Sequence, residues 1–228
     1  MNEIEIRDAA SVVLIRDHLN DPKVLVGQRG RDAVFMPRKF VFPGGAIDDC
    51  DCEVMPSGPI CEVSRRRLLL ETDADNAEAF FSAAIREVWE ETGIRLAVPI
   101  KSKPASDFAG GAWRGFMSDG LQPSAKGLHF FFRAITPPGR IRRFDARFFL
   151  GRAEDLPIAG TTDELIAKTD ELENLRWARI SETRELDMPF ISCLVLNAAE
   201  AAIENGLPPE KIPFHYQAEG SRRIKYLS

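Results

Sequence analysis

A chain of 228 residues, 44% hydrophobic and 29% charged, has room for one domain with a sizeable core and is too apolar to be disordered. Its 30 lysines and arginines against 35 aspartates and glutamates leave a net charge of -5, which excludes the basic footprint of a nucleic-acid binder. No apolar run approaches the roughly 20 residues of a membrane span, and Met1-Asn2-Glu3-Ile4-Glu5 lacks the basic, then apolar, pattern of a signal peptide. A cytoplasmic protein with no membrane or nucleic-acid partner is expected.

In chain order, Ala10–Ile15 and Lys23–Arg29 are β-branched runs on either side of the turn signal Asn20-Asp21-Pro22, and predict a hairpin. Phe40-Val41-Phe42 predicts a short strand stopped by Pro43-Gly44-Gly45. Helical periodicity runs from about Ala77 to Thr92, where Gly93 is a fitting stop. Strands are predicted at Leu128–Ile135, Arg147–Leu150 and Leu175–Ala178, and an amphipathic helix at Ile191–Ile203. Strands that flank a helix without βαβ alternation indicate a mixed α+β domain. Asp51 to Asn76, with an Arg-rich helical piece at Ser64–Glu71, and Lys101 to Lys126, with Trp113 and Phe116, stand out as insertions.

Cys50, Cys52 and Cys61 read C-x-C-x8-C, without the paired knuckles of a zinc ribbon. Together with Cys193 they are expected to be free thiols. His18, His129 and His215 stand near no second ligand type and are read as surface or core residues.

The informative stretch is Arg86-Glu87-Val88-Trp89-Glu90-Glu91-Thr92-Gly93-Ile94. On a helix, Glu87, Glu90 and Glu91 project from one face as i, i+3 and i+4 neighbours. Phe81, Ala84, Ile85, Val88 and Thr92 fall on another face and can pack on a sheet. Carboxylates so close repel one another unless a positive group lies among them, and hard divalent cations want such oxygens. Arg86, four residues before Glu90, can brace it. A solvated acidic face is the bland alternative. Five specified positions, together with glycines that let backbone approach a metal or phosphate, weigh against it.

This stretch resembles the second half of the Nudix hydrolase box, G-x5-E-x7-R-E-U-x-E-E-x-G-U with U aliphatic, position for position. The first half begins at Gly45, but the slot for the first glutamate holds Asp51, while Glu78 stands seven residues before Arg86. The difference, 78 − 51 = 27, indicates a box split by an insertion of about residues 52–77. That is similar to the long-insertion branch that includes coenzyme A diphosphatases. Phe35-Met36-Pro37, Arg143–Phe149 and Leu172–Trp177 are also similar to that branch, and the likeness covers roughly Ala9 to Asn197.

The resemblance implies a Nudix-type mixed sheet sandwiched by helices, in one domain over residues 1–228 with a C-terminal helix and tail at 189–228. It implies hydrolysis of a pyrophosphate bond in a nucleoside diphosphate linked to another moiety, X, with Mg²⁺ or Mn²⁺ as cofactor. Glu90 and Glu91 become expected metal ligands, with a carbonyl from Gly44 or Gly45. Glu87 is either a further ligand or the general base, for which Glu164 and Glu171 are downstream alternatives. Arg86 is expected to orient the carboxylates.

For X, coenzyme A or acyl-coenzyme A stands first, with Arg29 and Arg31 as candidate partners of the 3′-phosphate. Trp113 and His129–Phe132 are candidate stacking groups or core. Dinucleotides or nucleotide sugars such as NADH and ADP-ribose stand second, without the expected zinc ribbon. A non-catalytic Nudix-fold binding module is disfavoured by the retained glutamates, and an acidic calcium binder lacks the D-x-D-x-D-G loop. The partner is expected to be a small nucleotide-type molecule, with a homodimer left open. The insertion is expected to lie at the periphery of the fold.

Overall fold

The computed structural model describes residues 4–100, 111–167 and 169–228. The chain enters as an antiparallel hairpin, β1 (Ile6–Arg16) and β2 (Lys23–Arg29), which turns at the predicted Asn20-Asp21-Pro22. Short strands β3 (Phe40–Val41) and β4 (Gly44–Ala46) pair with β2 and β1, respectively. Helices α1 (Asp49–Cys52), α2 (Glu62–Leu68) and α3 (Ala77–Thr92) follow, then β5 (Arg95–Pro99), α4 (Ala112–Phe116) and β6 (Leu121–Pro123). Strands β7 (His129–Ile135), β8 (Arg143–Arg152), β9 (Ile158–Ala159) and β10 (Leu172–Arg179) lead into α5 (Phe190–Asn205). The chain closes with β11 (Ile212–Ala218) and β12 (Ser221–Leu227).

Among the described residues the main sheet has 9 strands, in the order β10-β2-β1-β8-β7-β11-β12, with β3 and β4 off this path. It is mixed: β1–β8 and β7–β11 are parallel and the other pairs antiparallel. Side chains alternate across a strand, so β1 feeds both faces. Val12 and Leu14 join Phe130, Phe149 and the α3 residues Phe81, Ile85 and Val88 in one core. Val13 and Ile15 join Phe132, Leu150 and the α5 residues Val195 and Ala199 in the other. Helices therefore cover both faces, which explains why the central strands read as continuous apolar runs.

The α3 boundaries follow from local chemistry. Asn76 accepts a hydrogen bond from the Ala79 amide at 3.1 Å, satisfying a helix N-terminal donor. Gly93 closes the helix at φ +79°, where its N–H reaches Trp89 O at 2.8 Å. A side chain at Gly93 would also strike the Ile166 carbonyl, so a glycine is required there twice over.

Two expectations need correction. The insertion at 52–77 is not peripheral: Val54 and Leu68 are buried in the α3-side core. Ser82 Oγ donates to Val54 O at 2.7 Å, and Phe130 N donates to Ser64 Oγ at 2.9 Å. Arg67 donates to Pro209 O and Glu210 O at 2.6 and 2.5 Å, and Arg133 to Leu70 O and Glu71 O at 2.8 and 3.1 Å. An amphipathic turn beside a sheet buries its apolar side whatever its place in a family pattern. Second, the C-terminal tail forms the β11–β12 hairpin, which extends the sheet beyond β7. Of the 101–126 segment, residues 101–110 lie outside the described residues, and α4 buries Trp113 and Phe116. Among the described residues no helix is long and apolar enough to cross a membrane.

Candidate active site

The C-terminal half of α3 carries Arg86, Glu87, Glu90 and Glu91 up to the turn at Pro43-Gly44-Gly45. The helix meets the turn without intervening side chains. The Gly44 amide donates to Glu91 Oε2 at 2.8 Å, and a Cβ on Gly45 would lie 2.3 Å from Glu87 Oε1. Larger residues there would push the carboxylates away.

Arg86 is 4% exposed and spends its donors on this cluster. Its Nε and Nη2 grip Asp51 at 2.9 and 2.8 Å, Nη1 reaches Glu87 Oε1 and Glu90 Oε2 at 2.8 Å each, and Nη2 also reaches Ala46 O at 3.0 Å. The bidentate fork fixes the guanidinium plane and with it both glutamates. Asp51, fully buried, accepts a further bond from Trp113 Nε1 at 3.1 Å and one from the Asp48 amide at 2.9 Å. Of the two residues that fit the split box, Asp51 holds Arg86, whereas Glu78 pairs with Arg65 at 2.5 Å.

The acidic face is not solvated. Glu87 and Glu91 are 8% and 1% exposed. Burial, with repulsion from Glu90 and Glu171, raises the Glu87 pKa to about 7 against the pull of Arg86. Burial, with repulsion from Glu87 and Glu171, holds Glu91 well above the usual carboxylate range, against the pull of the Gly44 amide and Arg29. Burial works against the charge of Arg86, but Asp51, Glu87 and Glu90 outweigh it and raise its pKa.

Among the described residues no group of three metal-ligating side chains already converges on a point; Glu87 and Glu90 turn their oxygens to Arg86. A divalent cation nonetheless fits the donor set. Glu91 Oε1 is buried and has no hydrogen-bond partner, which is costly for a carboxylate oxygen unless a cation serves it.

These groups open on a cavity of about 1150 Å³, lined by Glu87, Glu90, Glu91, Gly44 and Gly45. Arg29 and Glu171 line it too, but Arg31 and Glu164 do not. Arg29 is the last residue of β2, whereas Arg31 lies in the exposed turn beyond it, so only Arg29 is carried to the site. Phe130, Phe131, Phe132 and Trp113 are core residues with at most 1% exposure, so they cannot stack a ligand. Aromatic walls come instead from Phe35, Phe144, Phe148, Phe190 and Tyr216. Phe35 packs edge-on against Phe144 at 5.4 Å. Both lie in segments singled out above, whereas no local pattern marked Phe190 or Tyr216.

No family model matches the chain. The crystal structure of a Nudix hydrolase from Alicyclobacillus acidocaldarius is 31% identical, with a TM-score of 0.64, over 87% of this chain and 92% of that one. This chain belongs to the Nudix hydrolases. The curated Nudix hydrolase 7 of Caenorhabditis elegans is 26% identical over 185 residues, which is 77% of this chain and 52% of that protein. The acyl-coenzyme A diphosphatase NUDT19 of Gallus gallus is 28% identical over 188 residues, 60% of this chain and 50% of that protein. The chain thus spans about half the length of the curated relatives it matches. Within the Nudix box, the split between Asp51 and Arg86 keeps the ion pair by folding the insertion back on the core.

Proposed function

We propose that this Nudix hydrolase cleaves the pyrophosphate of coenzyme A or an acyl-coenzyme A in a reaction that requires Mg²⁺ or Mn²⁺. The observation that carries the metal requirement is the buried, unpartnered Oε1 of Glu91 within an excess of carboxylates. Glu90 and Glu91 would hold the cation, with a carbonyl of Gly44 or Gly45, and Glu87 would serve either as a further ligand or as the general base. When bound, the cation would neutralise phosphate oxygens and acidify water.

The protein's own groups do the rest. Arg86 orients Glu87 and Glu90 through paired 2.8 Å bonds. Glu87, its pKa raised to about 7 by burial, is matched to accept the proton of the attacking water near neutral pH. Glu171, also on the cavity, is the other candidate base. The water oxygen forms a new bond to one phosphorus, and the bridging oxygen leaves with the other, yielding two phosphomonoesters. Arg29 presents a guanidinium to the cavity, suited to a phosphate of the substrate. The avian relative's activity and this arginine support the choice of coenzyme A.

The test is hydrolysis of coenzyme A, dephospho-coenzyme A, ADP-ribose and NADH, with Mg²⁺ and with chelator, the products being separated by chromatography. The expected result is cation-dependent release of 3′,5′-ADP and 4′-phosphopantetheine. Dephospho-coenzyme A is expected to be cleaved more slowly, and Arg29→Ala should remove most of that difference. Faster cleavage of ADP-ribose or NADH would overturn the substrate reading. Undiminished turnover in chelator would overturn the metal site.

A further inference from the structure

The net charge of -5 conceals an uneven distribution. Residues 136–143, between β7 and β8, and residues 216–226, across the β11–β12 turn, hold six cations against one acid, Glu219. Each segment also sets an isoleucine among its cations, as Arg140-Ile141-Arg142 and Arg222-Arg223-Ile224-Lys225. The sheet brings the two together. Strands β7 and β11 are parallel, with Arg133 opposite Phe214 and Ala134 opposite His215, so both hairpins turn at the same end of the sheet.

Arg140, Arg142, Arg222 and Arg223 are exposed and line the cavity, so they stand at its mouth. The carboxylates of the cavity gather instead around the Gly44-Gly45 turn. Gly45 is level with Ala10 and Arg147 in the strand register, and Arg142 lies five residues before Arg147, about 16 Å along the strand. Among the described residues no carboxylate pairs with Arg140, Arg142 or Arg222, while Arg223 has Glu219 at 3.3 Å.

Large apolar side chains are exposed on the same surface. Ile141 and Phe190 are 69% and 61% exposed, Ile224 and Tyr226 56% and 64%. The Arg222 guanidinium lies 4.9 Å from the Phe190 ring. Ile224 stands opposite His215, which stacks on Phe132 of the α5-side core, so Arg222, Ile224 and Tyr226 share the α5 side of the edge strand β12. Neither Ile224 nor Tyr226 joins that core. Exposed apolar groups on this scale mark a surface that something covers.

We infer that this face docks the protein, peripherally and reversibly, on an anionic lipid bilayer. The guanidiniums meet lipid phosphates, while Ile141 and Ile224 enter the boundary between headgroups and acyl chains. Tyr226, apolar in its ring and polar at its tip, suits the same depth. A bilayer is favoured over an acidic protein because the apolar side chains come from three separate elements. A protein partner would need a pocket for each, whereas a fluid interface adapts to all. A nucleic acid would match the arginines and leave the isoleucines in water. The lack of a spanning run bears on crossing a membrane; lying on one needs only such a face. The inference is independent of the identity of X.

The test is flotation of the full chain with vesicles of phosphatidylcholine alone or mixed with phosphatidylglycerol, over a salt series. Wild-type protein should partition onto the mixed vesicles at least about tenfold better than onto phosphatidylcholine, and salt should weaken it. Arg142→Glu should reduce partitioning about tenfold, and Ile141→Ser and Ile224→Ser about threefold each. All three positions are exposed, so the variants keep the fold. Arg184→Glu makes the same change of charge beyond β10, at the opposite edge of the sheet, and should move partitioning by less than about twofold. Failure to partition onto the mixed vesicles would overturn the inference, as would an equal loss in Arg184→Glu. Indifference to both serines would also overturn it, leaving an anion site without a bilayer. Displacement of the vesicles by single-stranded RNA at lower concentration than by free phosphatidylglycerol vesicles would assign the face to nucleic acid instead.

Discussion

Arg86 and Arg147 are both nearly inaccessible, at 4% and 0% exposure, and each is gripped by an aspartate from another part of the chain. What surrounds them differs. Around Arg147 the charges balance: Arg133 and Arg147 face Asp145 and Asp8. Thr72 accepts from Arg147 at 2.9 Å, and the Phe80 ring lies 4.3 Å from the guanidinium. Around Arg86 they do not balance: Asp51, Glu87 and Glu90 share one guanidinium, with Glu91 and Glu171 adding repulsion. A buried cluster whose charges are matched serves architecture, here tying residues 70–72 to the sheet, although the Arg147 Nε is left without a hydrogen-bond partner. One left with surplus negative charge needs something from outside, and this is where the cavity opens.

The largest expected effect follows from that surplus. Glu91→Gln should lower kcat by about 100-fold or more, since it removes a carboxylate proposed to hold the cation, whose buried Oε1 has no hydrogen-bond partner. The same change should raise the thermal midpoint in chelator, because it removes a carboxylate whose charge is disfavoured by burial and by Glu87. Near-wild-type turnover would break the contrast between the clusters. At the balanced cluster, Arg147→Met should act in the opposite sense. Breaking a buried network there should cost about 3–5 kcal/mol of stability, measured by denaturant unfolding, while kcat of the folded protein stays unchanged.

A smaller effect is set by pH. Glu87 has a folded pKa of about 7 against an ordinary 4.5, and Glu91 is also raised. The folded chain therefore holds these protons more tightly than the unfolded one. The Glu87 contribution to stability is fully present below about pH 4.5 and is lost as pH rises through about 7, and that of Glu91 is lost in the same direction. For Glu87 alone the loss is on the order of 3 kcal/mol. In chelator, the midpoint should therefore fall between pH 5.5 and 8 more in wild type than in Glu91→Gln, and Mg²⁺ should restore it at pH 8. Equal pH profiles in the two proteins would remove the surplus charge from the account.

The contrast between the arginines was partly legible in the sequence. Helix α3 could be bounded from about Ala77 to Thr92 because its signals are local: a 3.6-residue period and a terminal glycine. The β1–β2 hairpin was local in the same way. Helix geometry put Glu87, Glu90 and Glu91 on one face with Arg86 placed to brace Glu90, and the structure gathers them around one guanidinium or its neighbour. Periodicity could not say that this face is buried, because burial depends on the β3–β4 turn that meets it. The β11–β12 hairpin joins the sheet through a parallel contact with β7 that no turn announces. Arg31 looked equivalent to Arg29 until the end of β2 separated them. Trp113, open in the sequence between a stacking group and a core aromatic, is core, and its Nε1 donates to Asp51 across 62 residues.

That bond allows the finest comparison of the two clusters, because in each a neutral side chain supports the arginine through one hydrogen bond. Trp113 supports Arg86 indirectly, by donating to Asp51, while Thr72 accepts directly from Arg147. Trp113→Phe would keep an aromatic ring against Phe116, now 5.1 Å away, and delete only the donor. Thr72→Val would keep the branched shape and delete only the acceptor. Each should cost about 1.5–3 kcal/mol, the worth of a hydrogen bond to a charged group. Function should separate them. Asp51 loses one of the bonds that position it, so Arg86 can shift, and Glu87 and Glu90 shift with it. Trp113→Phe should therefore lower kcat about three- to tenfold and raise the Mg²⁺ concentration needed for half-maximal activity. Thr72→Val should lower stability alone. If both variants leave the cation requirement unchanged, Trp113 is a packing residue, and the influence of the Arg86 cluster ends at Asp51.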